Sequence, residues 1–314
     1  MILQEAILAA LAYHDIFDYP LTVEEIHRYL IKKASLKSVR GDLDILCQEK
    51  KIGTSQGFYF LKNRSLVVKT RIKRSHFSHN KLKRASIYSK LLTLIPTIKL
   101  VAISGALAMQ NSHKQDDIDL VIVTSKNTLW TTRFLANFLL FPFKRSPTIP
   151  STIHLDPQRQ RGLQGSVYSP LTNNKVCLNL FLDEKDLKIK SQNLYTAHEI
   201  CQLKPLFNRN KTYSRLIKSN QWMSKYLPNW TQNAERLTTN DKKGSLRKAL
   251  VLRRLALVVE NLLKEFQIHY MKSKITTEKI GETQLFFHPQ DAQDWVIKEY
   301  QSRLKRLKIL PVDN

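Results

Sequence analysis

The spacing of hydrophobic positions changes several times along the chain. From Ile2 to Tyr13 apolar residues recur at helical intervals, and after the turn Asp18-Tyr19-Pro20 comes Thr22, an N-cap residue with Glu24 and Glu25 in the following turn. This predicts a second helix to about Ile31. Ser35 opens a third helix, with Leu36, Val39, Leu43 and Leu46 on one face and Lys37, Arg40 and Asp44 off it. Lys50–Gly53 and Gly57–Leu61 then read as two short strands around a glycine-containing turn. Residues 69–84, KTRIKRSHFSHNKLKR, hold seven basic residues and no acidic one, the pattern of a basic helix or linker. Lys99–Ile103, Ile118–Thr124 and Val176–Leu182 have the apolar runs of buried strands, with Ser151–Leu155 a further candidate. Ala106–Asn111 fits a short helical turn and Thr128–Phe141 a full helix. Beyond Asn193 the pattern turns helical through TAHEICQLKPL, Tyr213–Trp222, Ser245–Tyr270 and Pro289–Leu307. In the helix at 245–270, Leu246, Leu250, Leu255, Val259, Leu262 and Phe266 fall near one face, which predicts the face turned to the core.

These elements divide the chain into an N-terminal unit (1–66), a basic linker helix (67–98), a central α/β unit (99–190) and a C-terminal helical region (191–314), an α+β or α/β protein overall. Three helices followed by a hairpin resemble a winged-helix domain, in which the third helix enters a DNA groove and the hairpin forms the wing. Asp42 and Asp44 make this third helix less basic than a typical DNA reader, so a protein-contact role fits equally well. The stretch from 142 to 174 is rich in Pro, Gly, Ser, Arg and Gln and reads as a long loop.

Composition narrows the class of partner. Against 26 acidic residues the chain carries 51 Lys and Arg, a net charge of +25, which implies a polyanion: nucleic acid first, with nucleotide phosphates or an anionic surface also attracted. The basic run at 69–84 suits a surface that tracks phosphates, with His76 and His79 as surface residues. Cys47, Cys177 and Cys201 are widely spaced in apolar surroundings, which argues against a disulfide framework or zinc cluster and for a reducing cytoplasm. Gln4 and Glu5 interrupt the opening Ile2-Leu3, so no signal peptide is expected. The longest apolar stretch, Leu129–Phe143, contains Arg133 and Asn137 and falls short of the roughly 20 residues of a membrane-spanning helix, so no membrane partner is expected.

The chemistry concentrates in SGALAMQNSHKQDDIDL, which begins at Ser104. Asp117 and Asp119 lie two apart at the start of a strand, which places both carboxylates on one face. They either solvate a strand end or form half of a Mg²⁺ site, a cation that commonly combines one or two carboxylates with substrate phosphates. Ser104-Gly105 ends the preceding strand, where glycine permits close approach of backbone to a ligand and the following turn offers N–H groups to a phosphate.

Ser104-Gly105, eleven intervening residues, then Asp117-Ile118-Asp119 and the apolar run Leu120–Val123 resemble the signature of the polymerase-β-like nucleotidyltransferase superfamily. TAHEICQLKPLFNRN also looks like uncharacterised bacterial members of that group. The resemblance spans roughly residues 98–182. It implies that Asp117 and Asp119 bind Mg²⁺ or Mn²⁺, and that Ser104, Gly105 and Ala106 hold the phosphates of a nucleoside triphosphate, with ATP the first expectation. The implied reaction is transfer of a nucleoside monophosphate to a hydroxyl on RNA, protein or a small molecule. Two departures stand out. Gly105 is followed by Ala106 where the family has serine, and the strand position where active members carry a third carboxylate is Asn179, a possible metal ligand but no base near neutral pH. Asp183 and Asp156, at strand ends, are alternative sources of that charge. Lys144, Arg145, Arg159, Arg161 and Lys204 are possible phosphate contacts, and the pair His198-Glu199 either contacts nucleotide or packs. A nucleic-acid-binding regulator with a catalytically degenerate domain is the competing expectation.

Overall fold

The first unit folds around α1 (Leu3–Asp15), whose sequence LQEAILAALAYHD is apolar on nearly every side; from Ala9 to Asp15 every residue is buried. α2 (Val23–Arg28) starts at a capping box: the Glu25 N–H donates to Thr22 Oγ1 (3.3 Å) and the Thr22 N–H to Glu25 Oε2 (2.9 Å). It ends three residues short of the expected Ile31. α3 (Leu36–Gln48) is capped by Ser35 and buries Val39, Leu43 and Leu46. β1 (Ile52–Ser55) and β2 (Phe58–Leu61) form an antiparallel hairpin. The first strand begins later than Lys50 because that residue sits at φ 55°, in the left-handed region, and cannot continue an extended chain. This computed structural model describes residues 1–143, 175–231, 250–272, 278–287 and 291–310. The expected strand at 151–155, Asp156, the loop cations Lys144, Arg145, Arg159 and Arg161, most of the polar stretch 229–243 and the start of the helix at 245 lie outside those residues.

The basic run falls within α4 (Leu66–Leu92), a single helix of 27 residues. The chain then builds β3 (Ile98–Ile103), α5 (Gly105–Ala108), β4 (Ile118–Thr124), α6 (Leu129–Leu139), β5 (Val176–Asp183), α7 (Leu194–Gln202), β6 (Lys204–Asn208), α8 (Thr212–Ser219), α9 (Leu250–Met271), β7 (Lys279–Ile280), β8 (Gln284–Phe286) and α10 (Asp291–Arg306). Among the described residues the protein is a mixed α+β fold of ten α-helices, one six-stranded sheet and the small hairpin. The sheet order is β6-β3-β4-β5-β8-β7, with β4 and β5 parallel and the other neighbours antiparallel.

The expectation of a purely helical C-terminal region is corrected: it supplies β6, β7 and β8 to this sheet. α7 stops at Gln202 and the residues Lys204–Leu206, expected to be helical, run beside β3 instead. Pro205 lacks an N–H and is tolerated there because β6 is an edge strand. Alternate residues of the strands bury on opposite faces. Ile103, Ile118, Leu120, Ile122 and Leu178 pack with Ala85 and Leu92 of α4 and Trp130 of α6. Leu100, Ala102, Val121, Val123 and Leu182 pack with Ala197 and Ile200 of α7 and Leu216 of α8.

α9 is a second correction. Leu255, Val259, Leu262 and Phe266, on the face expected to be inward, are exposed, while Glu260 and Gln267 are buried. The Glu260 carboxylate accepts from the Trp130 N–H (2.7 Å), the Thr131 N–H (2.8 Å) and the Thr131 hydroxyl (2.6 Å). It thereby satisfies the unpaired N–H groups that begin α6, and this holds the polar side of α9 inward. The two chain ends meet at Asp15, which pairs with Arg64 and with Arg303 of α10. No described helix is long and apolar enough to cross a membrane.

Candidate functional site

Where β3 ends, the Ser104 N–H donates to the Asp119 carbonyl (3.2 Å), which sets the turn over the start of β4. Gly105 follows with φ +61°, a conformation that disfavours any side chain, and a Cβ built there would lie 3.8 Å from Asp119 Oδ2. Glycine thus brings the backbone close to the Asp119 carboxylate. The helix that follows is shorter than expected: α5 ends at Ala108, and one turn adds little dipole of its own. Ala106 takes part through its backbone, its carbonyl accepting from the Asn111 N–H (2.8 Å). Asp119 is the second residue of β4, and Asp117 lies one position ahead of the strand; both are partly exposed.

Asn179 comes to the same end of the sheet through an irregularity. The β4–β5 register runs Asp119↔Cys177, Leu120↔Leu178, then Val121↔Leu180, so Asn179 is the extra residue of a bulge. Leu178 belongs to the core on the α4 side and Leu180 packs on the α7 side. Asn179 is buried yet its Oδ1 has no hydrogen-bond partner, and the same holds for the buried Ser104 Oγ. An unsatisfied buried acceptor or hydroxyl costs about 1–3 kcal/mol. Two of them at this end of the sheet mark a place where the fold forgoes stability.

Two further charges converge on these aspartates. Glu199 of α7 is half-buried, and burial, then the Asp119 charge, pushes its carboxyl up to about 7. Burial, Glu199 and Asp119 likewise raise the Tyr195 hydroxyl well above its ordinary value. From the other side Lys81 of α4 is buried, its Nζ donating to Ser112 Oγ (2.8 Å), to the Asp116 carbonyl (2.6 Å) and to the His113 carbonyl. Burial pulls the Lys81 ammonium down to about 8, opposed by Asp116, Asp117 and Asp119. Lys81 therefore staples the loop that delivers Asp117. Its role corrects the picture of 69–84 as a uniformly phosphate-facing surface. Arg71 is bidentate to Glu25 (2.7 and 2.8 Å), and Arg74 donates to the Phe17 carbonyl (2.7 Å) and to Asp18 (3.2 Å). Lys69, Lys73, Lys83 and Arg84 remain exposed, as do His76 and His79.

Other expected groups are placed elsewhere. Asp183 pairs with Thr124 at the far end of the parallel strands. It accepts from the Asn127 N–H (2.7 Å) and the Lys185 N–H (2.9 Å), so it closes turns and cannot supply the missing third charge. His198 is buried and stacks on Tyr13 (3.9 Å, 11°), making it a packing residue of the seam between α1 and α7. Lys204 lines a cavity beyond α5.

Among the described residues no group of three or more His, Cys, Asp or Glu is gathered to hold a metal. Two carboxylates and, on the neighbouring strand two residues beyond the partner of Asp119, an unpartnered amide oxygen are donors of the kind a hard cation takes, with water and phosphate completing its shell. No family model matches the chain, and neither does any curated protein or solved structure.

Proposed function

We propose that the protein is a metal-dependent nucleotidyltransferase whose site is the end of the sheet at Ser104, Gly105, Asp117, Asp119 and Asn179. The observation that carries this reading is the pair of buried, unpartnered atoms, Asn179 Oδ1 and Ser104 Oγ, set around a carboxylate over which Gly105 folds the backbone. Asp117, Asp119 and the Asn179 carbonyl would hold Mg²⁺ or Mn²⁺, which supplies charge neutralisation for the phosphates and polarises them. Ser104 donates to a phosphate oxygen of the nucleoside triphosphate, ATP being the first to try, and Gly105 leaves room for it. An acceptor oxygen attacks the α-phosphorus, the bond to the β-phosphate oxygen breaks, and pyrophosphate leaves. Asn179 cannot take the acceptor's proton. Glu199, whose charge is coupled to Asp119, is the residue we assign to receive it.

The N-terminal three helices and hairpin serve, in this reading, as a winged-helix-like module, with Lys37 and Arg40 exposed on α3. Together with the net charge of +25 they favour a nucleic acid as acceptor or tether. Cys47, Cys177 and Cys201, none of them in a disulfide, suit a reducing cytoplasm. The test is incubation of the purified protein with each α-³²P-labelled nucleoside triphosphate and Mg²⁺ or Mn²⁺, with total RNA and lysate protein as acceptors. Label transfer that disappears in Asp117→Asn/Asp119→Asn supports the transferase. Metal-dependent nucleotide binding without transfer would favour the second reading, a nucleic-acid-binding regulator that lost catalysis when asparagine came to occupy position 179.

A further inference from the structure

A separate cavity of about 290 Å³ lies where the N-terminal unit meets the central sheet, between α2, α4, the far end of α5 and the α7–β6 turn. None of Ser104, Asp117, Asp119 or Asn179 lines it, so it is distinct from the acidic site. Its charge is unbalanced. Among the described residues the one carboxylate in its wall, Glu25, is already taken by the two-pronged Arg71 contact at 2.7 and 2.8 Å, and Arg71 is further fixed over the Tyr19 ring at 4.0 Å. That leaves Arg28 from α2 and Lys204 from β6, neither in an ion pair among the described residues. Two cations from different units line one cavity, and an anion held there would meet both. The same walls offer the half-buried ring of Trp230, whereas Tyr29 is buried against His14 and His198. The Trp230 ring is held in place by its Nε1–H, which donates to the Cys201 carbonyl (3.0 Å).

We infer that this cavity binds a mononucleotide-sized nucleoside phosphate, its phosphate between Arg28 and Lys204 and its base against Trp230. An arginine fork opposite a lysine is well matched to phosphate oxygens, and aromatic faces stack on any base. The volume, at the small end of ligand pockets, fits one nucleotide and excludes an oligonucleotide. Because Ala108, Met109 and Gln110 line the cavity, its occupant touches the end of α5 opposite to Gly105.

The experiment is calorimetric titration of the full chain with AMP, adenosine and inorganic phosphate, with quenching of Trp230 fluorescence as a second readout and Trp230→Phe as its control. AMP is expected to bind at least about tenfold more tightly than adenosine or phosphate alone. Arg28→Gln and Lys204→Gln should each weaken it about ten- to a hundredfold, with thermal melts of the free variants confirming the fold. Asp119→Asn should leave AMP binding here unchanged, so failure of the nucleotidyltransferase reading and failure of this one are separable. Absence of AMP binding, equal binding of phosphate alone, or AMP affinity that survives in Arg28→Gln/Lys204→Gln would each overturn the assignment.

Discussion

Asp119 and Asp183 lie at opposite ends of the same parallel strand pair, one opposite Cys177 and the other opposite Thr124, and their surroundings differ in kind. Around Asp183 both carboxylate oxygens accept from local backbone N–H groups, and these bonds counter the upward push of burial on its carboxyl. Around Asp119 the fold leaves the Asn179 amide oxygen and the Ser104 hydroxyl buried without partners, forces Gly105 into a left-handed turn, and brings Glu199 close enough to feel the charge. An acid that closes a turn has its hydrogen bonds filled by the chain itself. The end at Asp119 leaves one amide oxygen and one hydroxyl buried without partners, and it is on these that the proposed site rests.

The sharpest way to break this contrast is Asp119→Asn. It should lower nucleotidyl transfer by about 10²–10³-fold or more, with a melting temperature close to that of the unaltered protein. An equal loss of stability would make Asp119 a second Asp183. Next in size is a pH effect away from either end, at the seam where His14 and His198 lie buried. Burial lowers His14 to about 4 and His198 well below its ordinary value. Between pH 6.5 and 4 the unfolded chain binds protons that the folded one refuses, so stability is full above 6.5 and falls as the solution is acidified. The His14 contribution is on the order of 3 kcal/mol, readable from urea unfolding at pH 7 and pH 4.5. His14→Phe should flatten that slope.

Asp183→Ala should destabilise by about 1–3 kcal/mol, the cost of stranding two backbone donors, without a specific loss of transfer in the remaining folded protein. The smallest effect has the most informative sign. Asn179→Leu removes an unsatisfied buried polar group and should raise stability by about 1 kcal/mol while lowering Mn²⁺ and nucleotide affinity. A gain of stability with binding intact would make Asn179 a mere flaw in packing.

What the sequence disclosed, and what it hid, follows from the range of the interactions. The turn from Ser104 to Asp119 was legible because it is local: two apolar strands, a glycine where the backbone reverses, and acids at strand spacing. Glu199 and Lys81 reach the aspartates only through the packing of α7 and α4 against opposite faces of the sheet. Nothing in a run of basic residues distinguishes the buried Lys81 from the exposed Lys83. β6 was hidden because it follows a helix after one residue and only Pro205 signals the break. β7 and β8, two and three residues long, are too short for any period to show. The inverted α9 depends on one distant bond set, from Glu260 to the start of α6, which outweighs the pattern of its own leucines.

The most direct test of the central claim is Mn²⁺ binding followed by electron paramagnetic resonance, with a non-hydrolysable ATP analogue present, in the unaltered protein, Asp119→Asn and Asp183→Asn. The account predicts one nucleotide-dependent Mn²⁺ ion in the unaltered protein and in Asp183→Asn, and its loss in Asp119→Asn. Mn²⁺ binding that persists in Asp119→Asn, or that is absent from all three, would contradict it.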